Sequence, residues 1–275
     1  MTVASPVSLM RPELASILIE RRRQRMKLGL SALAGLAGII LALYLAGIFD
    51  LARYRDAHRT IGTLLADAMP PDFSRWRTWG KPLVETLAMS IAGTAIACIF
   101  AFPLSTIAAR NTGSPWIGRI VRLLLNTFRS IPEVVWGIAC VAAVGFGPLP
   151  GALALAFHST GMLGEFYAEM LEHVDPAPGD ALRSQGLSWL GVMRLGVLPQ
   201  ILPRVVDVSL YRWEHNVRAA IVMGVIGAGG IGLEIMTAFQ LFEYREALAL
   251  IIVLLALVTA INAIGGRVRE RFLHH

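Results

Sequence analysis

Cysteine and charge are both scarce in this chain, and each shortage excludes a class of protein. The 275 residues include two cysteines, Cys98 and Cys140. Both lie inside apolar runs, so we expect small buried side chains and neither a disulfide framework nor a zinc site. Charged residues make up 16% of the chain, against 55% hydrophobic residues. That balance is typical of a polytopic membrane protein and not of a soluble domain.

Signatures of nucleotide and nucleophile chemistry are also missing. The sequence has no GxxxxGK[S/T] loop for ATP phosphates. The glycine-rich run 224–232 follows no predicted strand, so a dinucleotide site is not expected. His158, beside Ser159 and Thr160, has no visible base and orienting partner. We therefore expect a protein that is not an enzyme and holds no cofactor. A membrane enzyme using His158 or His215 is the alternative.

Apolar segments of membrane-spanning length predict an all-α, polytopic fold with about six transmembrane helices. Residues 28–49 form the first span, and the basic block before it predicts a cytoplasmic segment over residues 1–27. Residues 50–82 are polar and predict an external loop. Residues 83–266 form the predicted core, and residues 267–275 a second basic cytoplasmic end. Within this core the sequence predicts spans at 86–109, 131–144, 151–170, after Pro203, and at 247–264, with an amphipathic cytoplasmic segment at 111–128.

A polar segment, DALRSQGLSWLGVMRLGVLP at residues 180–199, interrupts these apolar runs. Residues 181–185 predict a short helix with Asp180 at its N-terminus, where the helix dipole favours a carboxylate. Gly186 suits a left-handed turn, since a Cβ would resist that conformation. Pro199 and Pro203 limit where the following helix can start. The pattern predicts a helix-turn-helix between two spans.

The predicted fifth span carries an unusual number of ionisable and polar groups. Such groups inside a membrane usually line a pathway or pair with one another. Glu214 and Arg218 are four residues apart and could pair, and Arg212 and Asn216 share a helix face by the same spacing. Alternatively, the span begins near Val217 and these groups lie in the cytoplasm. An ion-coupled carrier would also suit an embedded Glu214–Arg218 pair, but the chain shows no inverted repeat.

Glycines follow this charged stretch in the string GVIGAGGIG at residues 224–232. In a membrane helix, glycines allow close packing and local unwinding where the backbone lines a cavity. We therefore predict a translocation pathway lined by Arg212, Glu214, His215, Asn216, Arg218, Gly227, Gly229 and Gly230.

Residues 180–199 resemble the EAA loop of ABC importer permeases, whose pattern is E-A-A, three residues, G, nine residues and I-x-L-P. Asp180 stands for the glutamate, Leu182 for the second alanine and Gly196 for the isoleucine. The residues that match as they stand are Ala181, Gly186, Leu198 and Pro199. The string RSIPE at 129–133 resembles the start of the third span in importer permeases. Four further strings are similar to the phosphonate-type permease family, namely GALALAFH at 151–158, GMLG at 161–164, WEHNVR at 213–218 and GAGGIG at 227–232.

The resemblance implies the permease subunit of a bacterial inner-membrane importer for phosphonates or related oxyanions such as phosphite and phosphate. Methionine or another small metabolite is the alternative substrate. ATP and Mg²⁺ would bind a separate ATPase subunit, and a solute-binding protein would deliver substrate from outside. A second copy of the chain and membrane lipid are further expected partners; nucleic acid is not. The resemblance assigns ATPase coupling to Asp180, Ala181, Leu182, Gly186, Leu198 and Pro199.

Overall fold

The computed structural model describes residues 12–112 and 114–273, and the regular structure in those ranges is entirely helical. This confirms the predicted all-α class. The chain divides near Leu64 into two compact units, an N-terminal unit and a larger unit over residues 65–275. The larger unit contains both segments for which a function is predicted.

The N-terminal unit begins with a single long helix, α1 (Pro12–Leu45), in which the basic block continues directly into the apolar span. Leu33 and Ile39 are more than half exposed, as suits a helix surrounded by lipid. The helix stops at Leu45, short of the predicted end of this span at Phe49. The following segment, predicted to be a loop, contains helices α2 (Leu51–Tyr54) and α3 (Ala57–Ala68). Helical apolar spacing in α3 gives it one apolar face, a signal that the polar composition concealed.

Nine helices follow in the described part of the larger unit. The last four are joined by π-helical turns or short breaks, and the two π-helical segments are Met193–Val197 and Gly224–Ala228. The helices are α4 (Gly80–Ala108), α5 (Pro115–Ser130), α6 (Glu133–Val144), α7 (Pro148–Glu172), α8 (Pro176–Ser184), α9 (Trp189–Val192), α10 (Leu198–Met223), α11 (Gly230–Gln240) and α12 (Tyr244–Leu273).

Helix α7 lies at the centre of this unit and packs against α4, α5, α6 and α10. Small residues allow these close approaches. A Cβ on Gly93 of α4 would lie 2.8 Å from the Cβ of Leu155 on α7. A Cβ on Gly161 would lie 2.6 Å from the carbonyl oxygen of Leu125 on α5, and one on Gly164 would meet the Leu125 side chain. The GMLG string is therefore the crossing point of α5 and α7.

Helices α1, α4 and α12 are each long and apolar enough to cross a membrane. Two bent pairs would raise the number to five, namely α5 with α6 at 91° and residues 189–228 with α11 at 60°. At the first bend, Pro132 keeps Ile131 extended, and Trp136 Nε1 donates to the Phe128 carbonyl oxygen across the turn (3.1 Å). Helix α7 has 25 residues, enough for a further span, although His158 and Glu165 lower its hydropathy.

Three predicted boundaries move in the structure. The turn before α7 is confined to Gly145–Gly147, because Pro148 is accommodated in the first turn of the helix. Helix α10 runs without a break from Leu198 to Met223, so the helix begins before Pro203 and the charged stretch is helical. Helix α12 continues through Gly265 and Gly266, where the sequence predicted its end.

Candidate translocation pathway and coupling segment

A buried polar network joins α4, α7 and α10. Asn216 on α10 is completely buried, and its amide donates to Thr94 Oγ1 on α4 (2.8 Å) and to Ser159 Oγ on α7 (2.9 Å). Arg212 Nε donates to the same Ser159 hydroxyl oxygen (2.8 Å). Thr94 is the midpoint of α4, so the network lies at the depth where polar groups are most costly in a membrane.

Glu133, the first residue of α6, gathers three basic side chains around one oxygen. Its Oε2 lies 3.4 Å from Arg212 Nη2, 3.4 Å from His215 Nε2 and 3.9 Å from His158 Nδ1. Arg212 and His158 are largely buried, whereas the His215 side chain is 38% exposed. Arg212, His158, His215 and Glu133 are called the basic cluster below. The cluster opens on the side of His215.

Two of the predicted pathway residues lie apart from this cluster. Arg218 is exposed. Glu214 forms an ion pair with Arg269 on α12 (3.2 Å) and not with Arg218. Asp207 pairs with the same Arg269 guanidinium at 2.6 Å. The i, i+4 spacing allowed Glu214 to reach Arg218, but the packing of α12 against α10 offers it a partly buried arginine instead. Arg212 and Asn216 do share a face, as predicted, since both contact Ser159.

The predicted glycines form a break between α10 and α11. Gly227, Gly229 and Gly230 have φ of 104°, 81° and 72°, conformations that side chains with a Cβ rarely adopt. Two side chains of α4 hold the start of α11, because Glu85 Oε2 accepts from the Gly230 amide (3.1 Å) and Thr86 Oγ1 from the Ile231 amide (2.9 Å). The predicted local unwinding is confirmed, and two of the freed backbone amides have side-chain partners.

Residues 180–199, called the coupling segment below, belong in part to a helix that starts earlier than predicted. Helix α8 begins at Pro176, and Asp175 is its N-cap, accepting from the Ala177 amide (3.0 Å). Asp180 therefore lies in the middle of the helix and pairs with Arg183 (3.0 Å), which corrects the predicted N-terminal position. The Asp-Pro pair is a standard helix start signal outside the motif.

The end of α8 agrees with the prediction. Gly186 has a φ of 83°, and its amide donates to the Arg183 carbonyl oxygen (2.9 Å). The Leu187 amide donates to the Leu182 carbonyl oxygen (3.2 Å). These two bonds form a Schellman motif, which reverses the chain at a left-handed glycine. Pro199 then falls in the first turn of α10, as its missing N–H predicts.

Side chains attach the coupling segment to the ends of the membrane helices. Gln200 Oε1 accepts from the Asp175 amide, and its Nε2 donates to the Asp175 carbonyl oxygen, both at 3.2 Å. Asn111, just after α4, donates to the Leu171 carbonyl oxygen at the end of α7 (2.7 Å). Arg122 of α5 pairs with Glu172 at 2.6 Å. A cavity of about 220 Å³ lies between these helix ends and α8, lined in part by Asn111, Asp175 and Arg183.

A second polar cluster lies at the opposite end of α4. Arg75 pairs with Glu246 at 2.9 Å, and Trp79 Nε1 donates to the same carboxylate (3.3 Å). Asp72 Oδ1 accepts from the Ser74 amide (2.8 Å), and this bond lowers the pKa of the exposed Asp72 carboxyl. Because α4 has 29 residues, this cluster and the coupling segment are separated by roughly 43 Å along its axis.

Comparison with known proteins decides what kind of protein carries these features. Residues 101–273 match the family described as binding-protein-dependent transport system inner membrane component. The chain belongs to this family. It is therefore a multi-pass inner-membrane permease component and not an enzyme.

Curated relatives of the permease include transporters of phosphorus oxyanions. It is 49% identical over 235 residues to the phosphite transport system permease protein PtxC of Stutzerimonas stutzeri, covering 85% of this chain and 86% of that protein. It is 35% identical over 219 residues to the phosphate-import permease protein PhnE of Mycolicibacterium smegmatis, covering 79% of this chain and 41% of that protein.

Solved structures support the fold. An inward-facing MetNI methionine ABC transporter chain aligns with a TM-score of 0.62 at 22% identity, covering 72% of the permease and 99% of that chain. A bacterial alginate ABC transporter chain aligns with a TM-score of 0.61 at 14% identity, covering 85% and 94%. At these identities the likeness shows the ABC type I permease fold alone.

Sequence reasoning missed several residues on which the site of the permease depends. Glu133 belonged to the RSIPE string, but nothing local showed that three bases converge on it. Thr94 and Ser159 look like ordinary small residues of apolar spans, and only the Asn216 contact distinguishes them. Glu85 precedes the predicted second span and was assigned no role. Arg269 was used only to predict that the C-terminal segment faces the cytoplasm.

Proposed function

We propose that this permease is the membrane subunit of an ATP-driven importer for phosphorus oxyanions, with phosphite or a phosphonate as substrate. The observation that carries the proposal is the 49% identity, over most of both chains, to a phosphite transport permease. Two features of the larger unit support it independently. One is the basic cluster, and the other is the coupling segment with its Schellman turn.

The basic cluster suits the passage of an oxyanion. An anion at mid-depth in a membrane needs positive compensation, since charge in a low-dielectric medium is costly. Arg212 supplies a full positive charge, and His158 and His215 supply hydrogen-bond donors beside it. Glu133 offsets the charge of Arg212, so the positive potential is moderate and a transported anion is not held permanently. Gly227, Gly229 and Gly230, where the backbone unwinds, would line the same pathway.

Energy would come from partner subunits that bind ATP and Mg²⁺, because the chain has no GxxxxGK[S/T] loop. Asp180, Ala181, Leu182 and Gly186 present the docking surface, with Leu198 and Pro199 fixing its attachment to α10. A solute-binding protein would approach the opposite end, near Arg75 and Glu246. The permease would act as a homodimer, since ATPases work in pairs and each chain offers one coupling segment. Lipid would surround the exposed apolar helix faces.

Methionine is the rival substrate, because the permease is 24% identical over 219 residues to a probable D-methionine transport permease of Vibrio cholerae. That likeness is weaker than the likeness to the phosphite permease, and a zwitterion would not need the basic cluster. An ion-coupled carrier is the rival mechanism. It would have no use for the coupling segment, and Glu214 is engaged with Arg269 rather than with Arg218.

The decisive experiment is uptake into proteoliposomes containing the permease, its ATPase and its binding protein. We expect phosphite to accumulate only when ATP is enclosed with the ATPase, and excess phosphonate but not methionine to compete. A matched preparation with a hydrolysis-deficient ATPase should show no accumulation. Uptake driven by an ion gradient without ATP would exclude the importer mechanism, and competition by methionine alone would exclude the oxyanion.

A further inference from the structure

Resting on the proposed function, we infer that the basic cluster is an oxyanion site whose ligand position is held by the Glu133 carboxylate in the conformation seen here. A phosphite or phosphonate would replace this carboxylate between Arg212, His158 and His215, and Glu133 would return to the position when the substrate leaves. The internal carboxylate thus acts as an exchangeable counter-anion.

The geometry around Glu133 is that of a loosely held anion. The three contacts reach one oxygen, and the shortest is 3.4 Å, longer than the usual 2.7–2.9 Å of a charge-assisted bond. A carboxylate that served only to neutralise Arg212 would gain most from a short or bidentate contact. The guanidinium is instead fixed by Ser159, which is bonded to Asn216.

The His158 side chain is not satisfied by its protein neighbours. Both of its ring nitrogens are buried and lack a hydrogen-bond partner in the described part of the chain. A buried polar group without a partner costs about 1–3 kcal/mol, which a native structure rarely accepts without function. An oxyanion has several acceptor oxygens, so it could accept from His158 while also contacting Arg212. The single carboxylate oxygen at 3.9 Å does not satisfy this imidazole.

The residue that positions Arg212 is distinct from the residues that would contact the anion. Both amide hydrogens of Asn216 are used by Thr94 and Ser159, so Asn216 positions Arg212 and is not itself free to bind an anion. Access is through the side of Glu133 and His215, which are 21% and 38% exposed. Glu133 is the first residue of α6, so its displacement would also change the contacts at the 91° bend between α5 and α6.

The test measures phosphite binding to the purified permease–ATPase complex in nanodiscs, without binding protein. If Glu133 occupies the site nine-tenths of the time, Glu133→Gln should tighten the apparent Kd for phosphite about tenfold. His158→Gln should weaken it by roughly tenfold to a hundredfold, the loss of one bond to a charged ligand. Glu169→Gln, the same substitution at an exposed position of α7, serves as control and should leave the Kd unchanged.

Each outcome decides the inference once wild-type uptake of phosphite is established. Tighter binding in Glu133→Gln with weaker binding in His158→Gln supports it. An unchanged or weaker Kd in Glu133→Gln overturns it, and so do an unchanged or tighter Kd in His158→Gln and the absence of phosphite binding to the wild-type complex. Those results leave phosphite import itself intact. Failure of wild-type uptake would reject the proposed function instead. Size-exclusion chromatography confirms that each variant assembles with the ATPase.

Discussion

Single residues decide how charged side chains fit between closely packed helices. Gly265 of α12 lies against the Glu214 carboxylate of α10, and a Cβ at Gly265 would overlap that carboxylate. Glu214 needs the space because it turns toward Arg269, four residues further along α12. Gly266, the next residue, has nothing within 4 Å of where its Cβ would lie. These neighbours therefore form a matched pair for one substitution.

We predict that Gly265→Ala destabilises the permease by about 1–3 kcal/mol, because the added methyl group displaces Glu214 from Arg269. Gly266→Ala should be neutral or stabilising, since alanine favours a helix over glycine. Thermal unfolding of the detergent-solubilised permease measures both. Equal unfolding temperatures for the two variants would show that Gly265 does not make room for Glu214.

The same residues show what sequence spacing can and cannot predict. Helical periodicity correctly placed Arg212 and Asn216 on one face, because that relation depends only on four residues of one helix. It could not identify the partner of Glu214, because Arg269 is 55 residues away and reaches Glu214 only through helix packing. The role of Glu133 could not be predicted for the same reason, because its three basic neighbours come from α7 and α10, which are distant in sequence.

Among the helical elements, the coupling segment combines a local signal that was recognised with one that was overlooked. The glycine that ends α8 was identified because a left-handed turn requires a residue without a Cβ. The start of α8 was misplaced because the motif begins at Asp180, whereas the cap and proline that start the helix are Asp175 and Pro176. The π-turns beside α9 and at Gly224–Ala228 have no comparably simple sequence signal.

Replacing Gly186 tests whether the Schellman turn presents the coupling surface. Gly186→Val should strain the backbone by about 1 kcal/mol or more and weaken ATPase docking, because valine resists a φ of 83°. No atom lies within 4 Å of the new Cβ, so the loss would come from the backbone and not from overlap. Gly186→Asn is the control, since asparagine tolerates this conformation.

Copurification of the ATPase and ATP-driven phosphite uptake are the measurements. We expect both to fall in Gly186→Val and to persist in Gly186→Asn. A Gly186→Val permease that assembles and transports at the wild-type rate would remove the coupling assignment from this turn.

For the whole molecule, composition predicted the membrane class and the all-α fold because lipid imposes a strong constraint on every span. Composition did not predict the end of a helix that continues beyond its apolar run, as α12 does through Arg269. Composition also could not predict how deep within the helix bundle the basic cluster lies. In the structure, Asn216 donates to Thr94 at the midpoint of α4. The basic cluster therefore lies between the two ends of the helix bundle.

The distribution of charge predicts the orientation of the chain. The basic residues of segments 21–27 and 267–271 should both face the cytoplasm, since each cluster flanks the end of a span. The cluster of Arg75 and Glu246 lies at the opposite end of α4 from the coupling segment and should face outward.

The test uses single cysteines at Ser16, Arg77 and Leu273, in a permease whose Cys98 and Cys140 are replaced by alanine and which still transports. A membrane-impermeant maleimide added to intact cells should label the Arg77→Cys protein alone, and the other two positions only after the cells are opened. Labelling of Ser16→Cys or Leu273→Cys in intact cells would reverse or break the six-span topology. Failure to label Arg77→Cys in intact cells, with labelling after opening, would place the Arg75 cluster inside and exclude it as the face that receives a binding protein.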